Sequence, residues 1–199
     1  MTKIIEGIKF KGKPFEIPDC SRDDLPRFFK EDMKYTVGVE VGVYAGEYTE
    51  QLCKAGLKVF GVDPWLVYRD YRKHPKELPY EELFDITKKR LTPYNCSLIR
   101  KTSMEALNDI PDNSTDFIYL DGNHALPYIT QDIYFWNKKL KVGGVMAGHD
   151  YFDSSHNPYW IRVCHVKSAV NLCAKILGVE NFYILKGKDK CPSWFWIKS

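Results

Sequence analysis

Apolar and polar positions alternate from Val37 to Val41, with Val37, Val39 and Val41 on one side, and that period of two predicts a strand. Glycines fall at Gly38, Gly42 and Gly46, and a helix is expected from Thr49 to Ala55, stopped by Gly56. Residues 57–63 predict a second strand, residues 80–91 a helix and residues 96–101 a third strand. A helix capped by Thr102, with Glu105 at the capping-box position, should run to Ile110. Residues 116–124 read as a fourth strand leading into Asp121-Gly122-Asn123-His124. Ile129, Ile133, Trp136 and Leu140 recur at steps of 4, 3 and 4, the stripe of a helix. Lys138, Lys139 and Lys141 are placed at its C-terminal end, where the helix dipole favours them, and Gly143-Gly144 should end it. Residues 145–151 give a fifth strand, and Val166, Val170, Cys173 and Leu177 a last helix that stops at Gly178. Two β-rich runs, 181–187 and 193–199, follow. Strands alternating with helices predict an α/β fold with a mostly parallel sheet.

The first 36 residues fit this alternation less well. Lys3, Lys9, Lys11 and Lys13 with Pro14 and Pro18 read as a loosely packed arm or an edge hairpin. Ser21 to Met33 reads as a short helix, with Ser21 as N-cap and Asp23 and Asp24 in the first turn. Between the second strand and the 80–91 helix lies an aromatic and basic stretch broken by Pro64, Pro75 and Pro79. Its Trp65, Tyr68 and Tyr71 suit either a substrate pocket or the packing of a long loop on the sheet.

Composition narrows the function. The 199 residues suffice for one domain with a sizeable core, and 44% of them are hydrophobic. Lys plus Arg is 29 against 26 for Asp plus Glu, a net charge of +3, too mild for a nucleic-acid binder. Six cysteines without a C-x-x-C suggest a reduced, cytoplasmic protein, and without a long apolar run no membrane span is expected.

The chemistry concentrates at strand ends. After the first strand the chain reads E-x-G-x-x-x-G, from Glu40 to Gly46, in place of the G-x-G-x-x-G of a dinucleotide site. An acid there suits a ligand with a cationic end. Asp63 ends the second strand, 63 − 42 = 21 residues beyond the central glycine, where an acid can bind ribose hydroxyls. A tight turn at Gly42 and Gly46 and a helix cap at Asp63 remain the alternatives.

With these motifs the chain resembles class I S-adenosylmethionine-dependent methyltransferases. The stretch 121–151 further resembles a small-molecule and sugar O-methyltransferase branch, similar to methyltransferase family 24. The likeness lies in the acid-glycine-x-His loop, Tyr128, Asp132, the terminal Gly-His-Asp-Tyr and the run 192–198. It implies a Rossmann-like, doubly wound sheet, mostly parallel, of seven strands with a C-terminal antiparallel hairpin. The fourth and fifth strands are expected beside the first, in a domain from 37 to 199 preceded by the arm and short helix of 1–36.

The resemblance also implies a site. S-adenosylmethionine would be held by Glu40, Gly42, Gly46, Asp63 and Asp121, with Ser103 and Met104 at the adenine. Asp121 would be catalytic; His124, an imidazole with a near-neutral pKa at a strand's carboxyl end, suits the base, with a structural role the alternative. A divalent ion would sit on Asp121, His149 and Asp150. His149 replaces the usual carboxylate there, so Mn²⁺ would serve better than Mg²⁺. The alternative stays open that these acids cap helices or bind substrate without metal. The acceptor would be a small hydroxylated molecule and the oligomeric state is left open. Nucleic-acid methylation lacks its aromatic box, the Asn157–Trp160 run standing after the wrong strand. A nicotinamide oxidoreductase lacks its glycine fingerprint. A non-catalytic binding module is opposed by the intact Glu40, Asp63, Asp121 and Asp150.

Overall fold

In the computed structural model, which describes residues 2–66, 78–154 and 163–199, the alternating stretch at Val37 becomes a central strand. The chain begins with α1 (Lys3–Gly7) and β1 (Phe15–Pro18), then a continuous helical run. That run is a 3₁₀ turn at Arg22–Asp24, α2 (Leu25–Arg27) and a π turn at Phe28–Asp32. Next come β2 (Val37–Val41), α3 (Glu47–Lys54), β3 (Lys58–Val62), α4 (Tyr80–Leu91), β4 (Cys96–Ile99) and α5 (Ser103–Ala106). They are followed by β5 (Thr115–Leu120), α6 (Leu126–Trp136), β6 (Leu140–Gly148), β7 (Asp153–Ser154) and β8 (Cys164–His165). The chain closes with α7 (Val166–Ile176), β9 (Tyr183–Lys186) and β10 (Ser193–Ile197).

The main sheet has the order β1-β9-β10-β6-β5-β2-β3-β4. Strands β4, β3, β2, β5 and β6 run parallel, and β10 is antiparallel to both β6 and β9. This is the Rossmann-like α/β sheet with its antiparallel ending. Strand β5 pairs with β2 directly, whereas β6 lies one strand further out, so only one of the two expected neighbours touches the first motif's strand.

Alternation along β5 divides the core. Ile118 and Leu120 join Val39, Met146, Trp136 and Val170 on one face of the sheet. Phe117 and Tyr119 point to the other, with Phe28, Phe29, Val145 and Phe195. The first residues of the chain belong to this second layer. Ile4, Ile17, Leu25 and Phe28 are fully or almost fully buried, and the Phe29 ring stacks on Phe117 with centroids 4.5 Å apart. Strand β1 pairs in parallel with β9, so the expected seven strands become eight. The reason is an open edge: β9, the outer strand of the terminal hairpin, offers unpaired backbone groups, and β1 covers them. Only Ile17 of β1 turns fully inward, which left too short a pattern to read in advance.

A second difference concerns the lysines. Helix α6 ends at Trp136, and Leu140 opens β6 instead of closing the helix. The register shifts between Thr115 and Phe117, where Thr115 faces Leu140 but Phe117 faces Val145, so Lys141 to Gly144 bulge out of the ladder. Lys139 and Lys141 therefore answer carboxylates rather than a helix end: Lys139 lies 2.6 Å from Asp112 and Lys141 2.6 Å from Asp116. All six cysteines are free. Among the described residues no helix is long and apolar enough to cross a membrane.

Candidate active site

The parallel strands end on one side of the sheet, and the loops that leave β2, β3, β5 and β6 meet there. Gly42 sits at φ +95°, and a Cβ on it would lie 2.2 Å from the carbonyl oxygen of Asp121. Only glycine allows this approach, and the Asp121 N–H in turn donates to the Val41 carbonyl at 2.8 Å. The first motif and the Asp121 loop are thus in backbone contact. Gly46, at φ +77°, supplies the left-handed turn that starts α3. Tyr44 adopts the same left-handed region at φ +51°.

Glu40 is buried at the end of β2, and Thr49 Oγ1 donates to its Oε2 at 2.5 Å. Burial pushes this carboxyl well above the usual range, and the Thr49 hydrogen bond only partly offsets it. Asp63 clamps the glycine turn to the next loop: Tyr44 N–H donates to Oδ2 at 3.0 Å and Trp65 N–H to Oδ1 at 2.8 Å. Burial raises its carboxyl too, against those backbone donors. A carboxyl has about four acceptor sites, so Asp63 keeps capacity for a ligand hydroxyl beyond its backbone donors. The cap expected at Thr102 is present as a full capping box with Glu105. It presents Ser103, whose hydroxyl donates to Asp132 and accepts from Trp136 Nε1 at 2.7 Å. Buried Asp132 is pushed up to about 7 by desolvation, with the Ser103 bond acting against the shift.

His124 stands between two carboxylates. Its Nε2 lies 3.4 Å from Asp121 Oδ1 and its Nδ1 3.2 Å from Asp150 Oδ2. Asp150, in the left-handed region at φ +56°, also takes His149 Nδ1 at 2.9 Å. Burial would raise the Asp150 carboxyl, but the His149 hydrogen bond and the nearby His124 outweigh it and hold it below the usual range. The fourth member is Arg22, whose Nη1 lies 3.3 Å from Asp121 Oδ2.

These groups surround one cavity of about 550 Å³, a volume within the range of ligand sites. Of the residues singled out from sequence, Glu40, Gly42, Asp63, Ser103, Met104, Asp121, His124 and Asp150 line it. Gly46 shapes the turn without facing the cavity, and His149 stands behind Asp150. The expected metal trio of Asp121, His149 and Asp150 is therefore not the one brought together. The ligand atoms within 4.8 Å of one another belong to Asp121, His124 and Asp150. The His149 ring is turned to Asp150, Nδ1 to Oδ1 at 2.9 Å, and does not line the cavity. Trp65 is core: it is 1% exposed, meets Phe84 at 4.9 Å and donates to the Tyr44 carbonyl. Tyr68, Tyr71 and the Asn157–Trp160 run lie outside the described residues.

Arg22 was missed by the motifs. Its only local signal is its place after the Ser21 cap, and that cap forms as read, as a capping box with Asp24. The neighbours that aim it come from Tyr48, Asp121 and Asp189.

Residues 39–151 match the family described as a methyltransferase domain, methyltransferase family 24. Among curated proteins, a 78-residue stretch is 33% identical to uncharacterized protein y4gI of Sinorhizobium fredii (strain NBRC 101917 / NGR234). That match takes in 37% of this chain and 9% of the relative, so the chain spans only a small part of the relative's length. Among solved structures, the fold is similar to an O-methyltransferase from Bacillus cereus in complex with SAH, with TM-score 0.63 and 13% identity over 90% of this chain and 83% of that one. It is also similar to the O-methyltransferase TomG from Streptomyces achromogenes, in complex with SAM, with TM-score 0.62 and 12% identity over 89% and 80%. N-methyltransferase NodS from Bradyrhizobium japonicum WM9 superposes with TM-score 0.61 and 15% identity over 89% and 93%, so the fold does not choose the acceptor atom. The matched span holds the glycine turn with Glu40, Asp63, Asp121, His124 and Asp150, and by it the chain belongs to the methyltransferase-domain family, whose fold it shares with these solved structures.

Proposed function

We propose that the chain transfers the methyl group of S-adenosylmethionine to a hydroxyl oxygen of a small molecule. The observation that carries this reading is the meeting of Glu40, Asp63 and the Asp121–His124–Asp150 cluster in one cavity. The donor set fits the cofactor. Asp63 keeps acceptor lone pairs for a ribose diol, and Glu40 and Asp121 offer carboxyls to a cationic end. S-adenosylmethionine supplies a methyl group already activated on a sulfonium. The protein is left to align an oxygen and take its proton.

His124 suits that task. Asp150 beside Nδ1 fixes the ring's direction, while Nε2, itself buried, lies 3.4 Å from Asp121 Oδ1. Once Asp121 or the ring shifts to admit it, a hydroxyl can give up its proton to Nε2, and the two flanking carboxylates stabilise the imidazolium formed. Asp150 stays ionised at neutral pH, so this support is present when it is needed. Tyr80 and Leu83 of α4, with Leu66, close part of the wall with apolar surface. The acceptor class fitting this wall and a polar floor is a small hydroxylated ring or chain, of sugar or natural-product type.

Calorimetry with S-adenosylhomocysteine, followed by transfer of labelled methyl from S-adenosylmethionine to a panel of sugars, polyols and phenols, tests the reading. Binding and an alkali-stable methyl ether are expected. No heat with the cofactor product would remove the reading at its base.

A second reading has its own support in the Asp121, His124 and Asp150 ligand atoms that lie within 4.8 Å. Two carboxylates and an imidazole fit Mn²⁺ or a later transition ion better than Mg²⁺. An ion held there would lower the acceptor hydroxyl's pKa, and His124 would then be a ligand instead of the base. Turnover unchanged by EDTA and by added Mn²⁺ would favour the metal-free site.

A further inference from the structure

The cavity is rich in acids, and among the described residues that line it Arg22 is the only lysine or arginine. It does not belong to the loops of the sheet. It comes from the run between β1 and α2, and four contacts fix its position. Its N–H donates to Asp189 Oδ2 at 3.3 Å, and its carbonyl accepts from Tyr48 OH at 3.0 Å. Its guanidinium carbon lies 5.4 Å from the centre of the Tyr48 ring, and Nη1 reaches Asp121 Oδ2. Its charge is also felt by Glu40 at the end of β2.

The Asp121 contact, at 3.3 Å, is longer than the roughly 2.7–2.9 Å of a well-formed charge-assisted hydrogen bond. A guanidinium carries five N–H donors, so Asp121 uses only part of its capacity. A cation side by side with carboxyls is the complement of one particular group, an α-amino acid head, which carries ammonium and carboxylate on the same carbon. A hydroxylated acceptor has no need of the pair. The methionine end of S-adenosylmethionine has need of both.

We infer that Arg22 binds the carboxylate of the cofactor's methionine moiety, with Asp121 and Glu40 beside it for the ammonium. The N-terminal layer is then part of the cofactor site and not merely a cover for the sheet. This rests on the methyltransferase reading above, and the ligands that test it are chosen to keep the two apart.

Calorimetry would compare S-adenosylhomocysteine with 5′-methylthioadenosine, which keeps adenine, ribose and sulfur but lacks the amino-acid end. Arg22→Ala should weaken S-adenosylhomocysteine by about 10- to 100-fold, the scale of a lost hydrogen bond to a charged group. It should leave 5′-methylthioadenosine within about twofold, and Arg22→Lys should recover part of the loss because it restores the charge without the fork. An equal loss for both ligands would show that Arg22 only props the fold, and no loss for either would show that the carboxylate is held elsewhere. Either result overturns the inference. A wild-type protein that binds 5′-methylthioadenosine and S-adenosylhomocysteine equally well would also overturn it, while leaving the cofactor reading standing. Binding of neither would remove that reading itself, and the inference with it.

Discussion

Around Glu40 and Asp63 the side-chain partners come from within 19 residues, whereas around His124 the nearby Asp121 is joined by Asp150 from another strand end and by Arg22 from the N-terminal layer. Thr49 holds Glu40 from nine residues away, Trp65 holds Asp63 from two, and Glu105 closes the Thr102 cap from three. At the other end Arg22 and Asp121 are 99 residues apart, and Asp150 reaches His124 from a separate strand end. The first region is a set of strand-turn-helix units, each able to place its own polar group. The second exists only once the sheet is assembled. On the reading proposed above, the local part holds the nucleoside end of the cofactor, while the assembled part holds its amino-acid end and carries the chemistry, and each role can be tested against the other.

The largest expected effect is on turnover. His124→Ala should lower kcat by about 10²–10⁴, the usual share of a positioned base, while S-adenosylhomocysteine affinity stays within about twofold in calorimetry. A variant that lost cofactor affinity instead would blur the division. Asp63→Ala should do the reverse, weakening S-adenosylhomocysteine by about 1–3 kcal/mol through unpaired hydroxyls. Because Asp63 also holds the Tyr44 and Trp65 N–H groups, a thermal melt should show lower stability in the same variant. Full stability with lost affinity would mean that the clamp contributes little.

Glu40 gives a pH test of intermediate size. Its carboxyl is raised by burial, and a ligand cation beside it would lower the value again. Binding should then release a proton, so affinity should rise with pH, by at most about tenfold per unit. The rise should stop once the pH passes the raised value of the free protein. Heats of binding in two buffers of different ionisation enthalpy read the proton directly. Equal heats would mean that Glu40 keeps its state. The smallest effect is expected at Thr102→Ala, which removes one cap and should cost about 1 kcal/mol of stability. Its readout is the denaturation midpoint, and a loss of several kcal/mol would show that this side of the cavity is less modular than its contacts suggest.

The same contrast explains what could be read from sequence. Val37 to Gly46, Asp63 and Thr102 lie in segments whose role is fixed by local period and turn chemistry, and they appear where the pattern put them. The helix stripe that ran on to Leu140 failed for a tertiary reason. Leu140 is buried whether it ends a helix or begins a strand, so period alone did not separate the two. His149 and Asp150 are adjacent in sequence, and only the end of β6 decides which one faces the cavity. The strand at Phe15–Pro18 and the cation at Arg22 depend on β9, Tyr48 and Asp189, and no nearby residue announces those partners.

The pairing of β1 with β9 has a consequence for how the chain is made. The Tyr183 hydroxyl donates a hydrogen bond to the carbonyl of Ile8, a partner 175 residues earlier. On the ribosome the first layer emerges long before its sheet edge exists, so Ile17 and Phe28 wait without β9 and β10 while the middle of the chain folds. The hydrogen bond from the Arg22 N–H to Asp189 can form only after Asp189 has left the exit tunnel. A nascent chain stopped short of β9 would lack both the partner strand of β1 and this anchor for the Arg22 backbone.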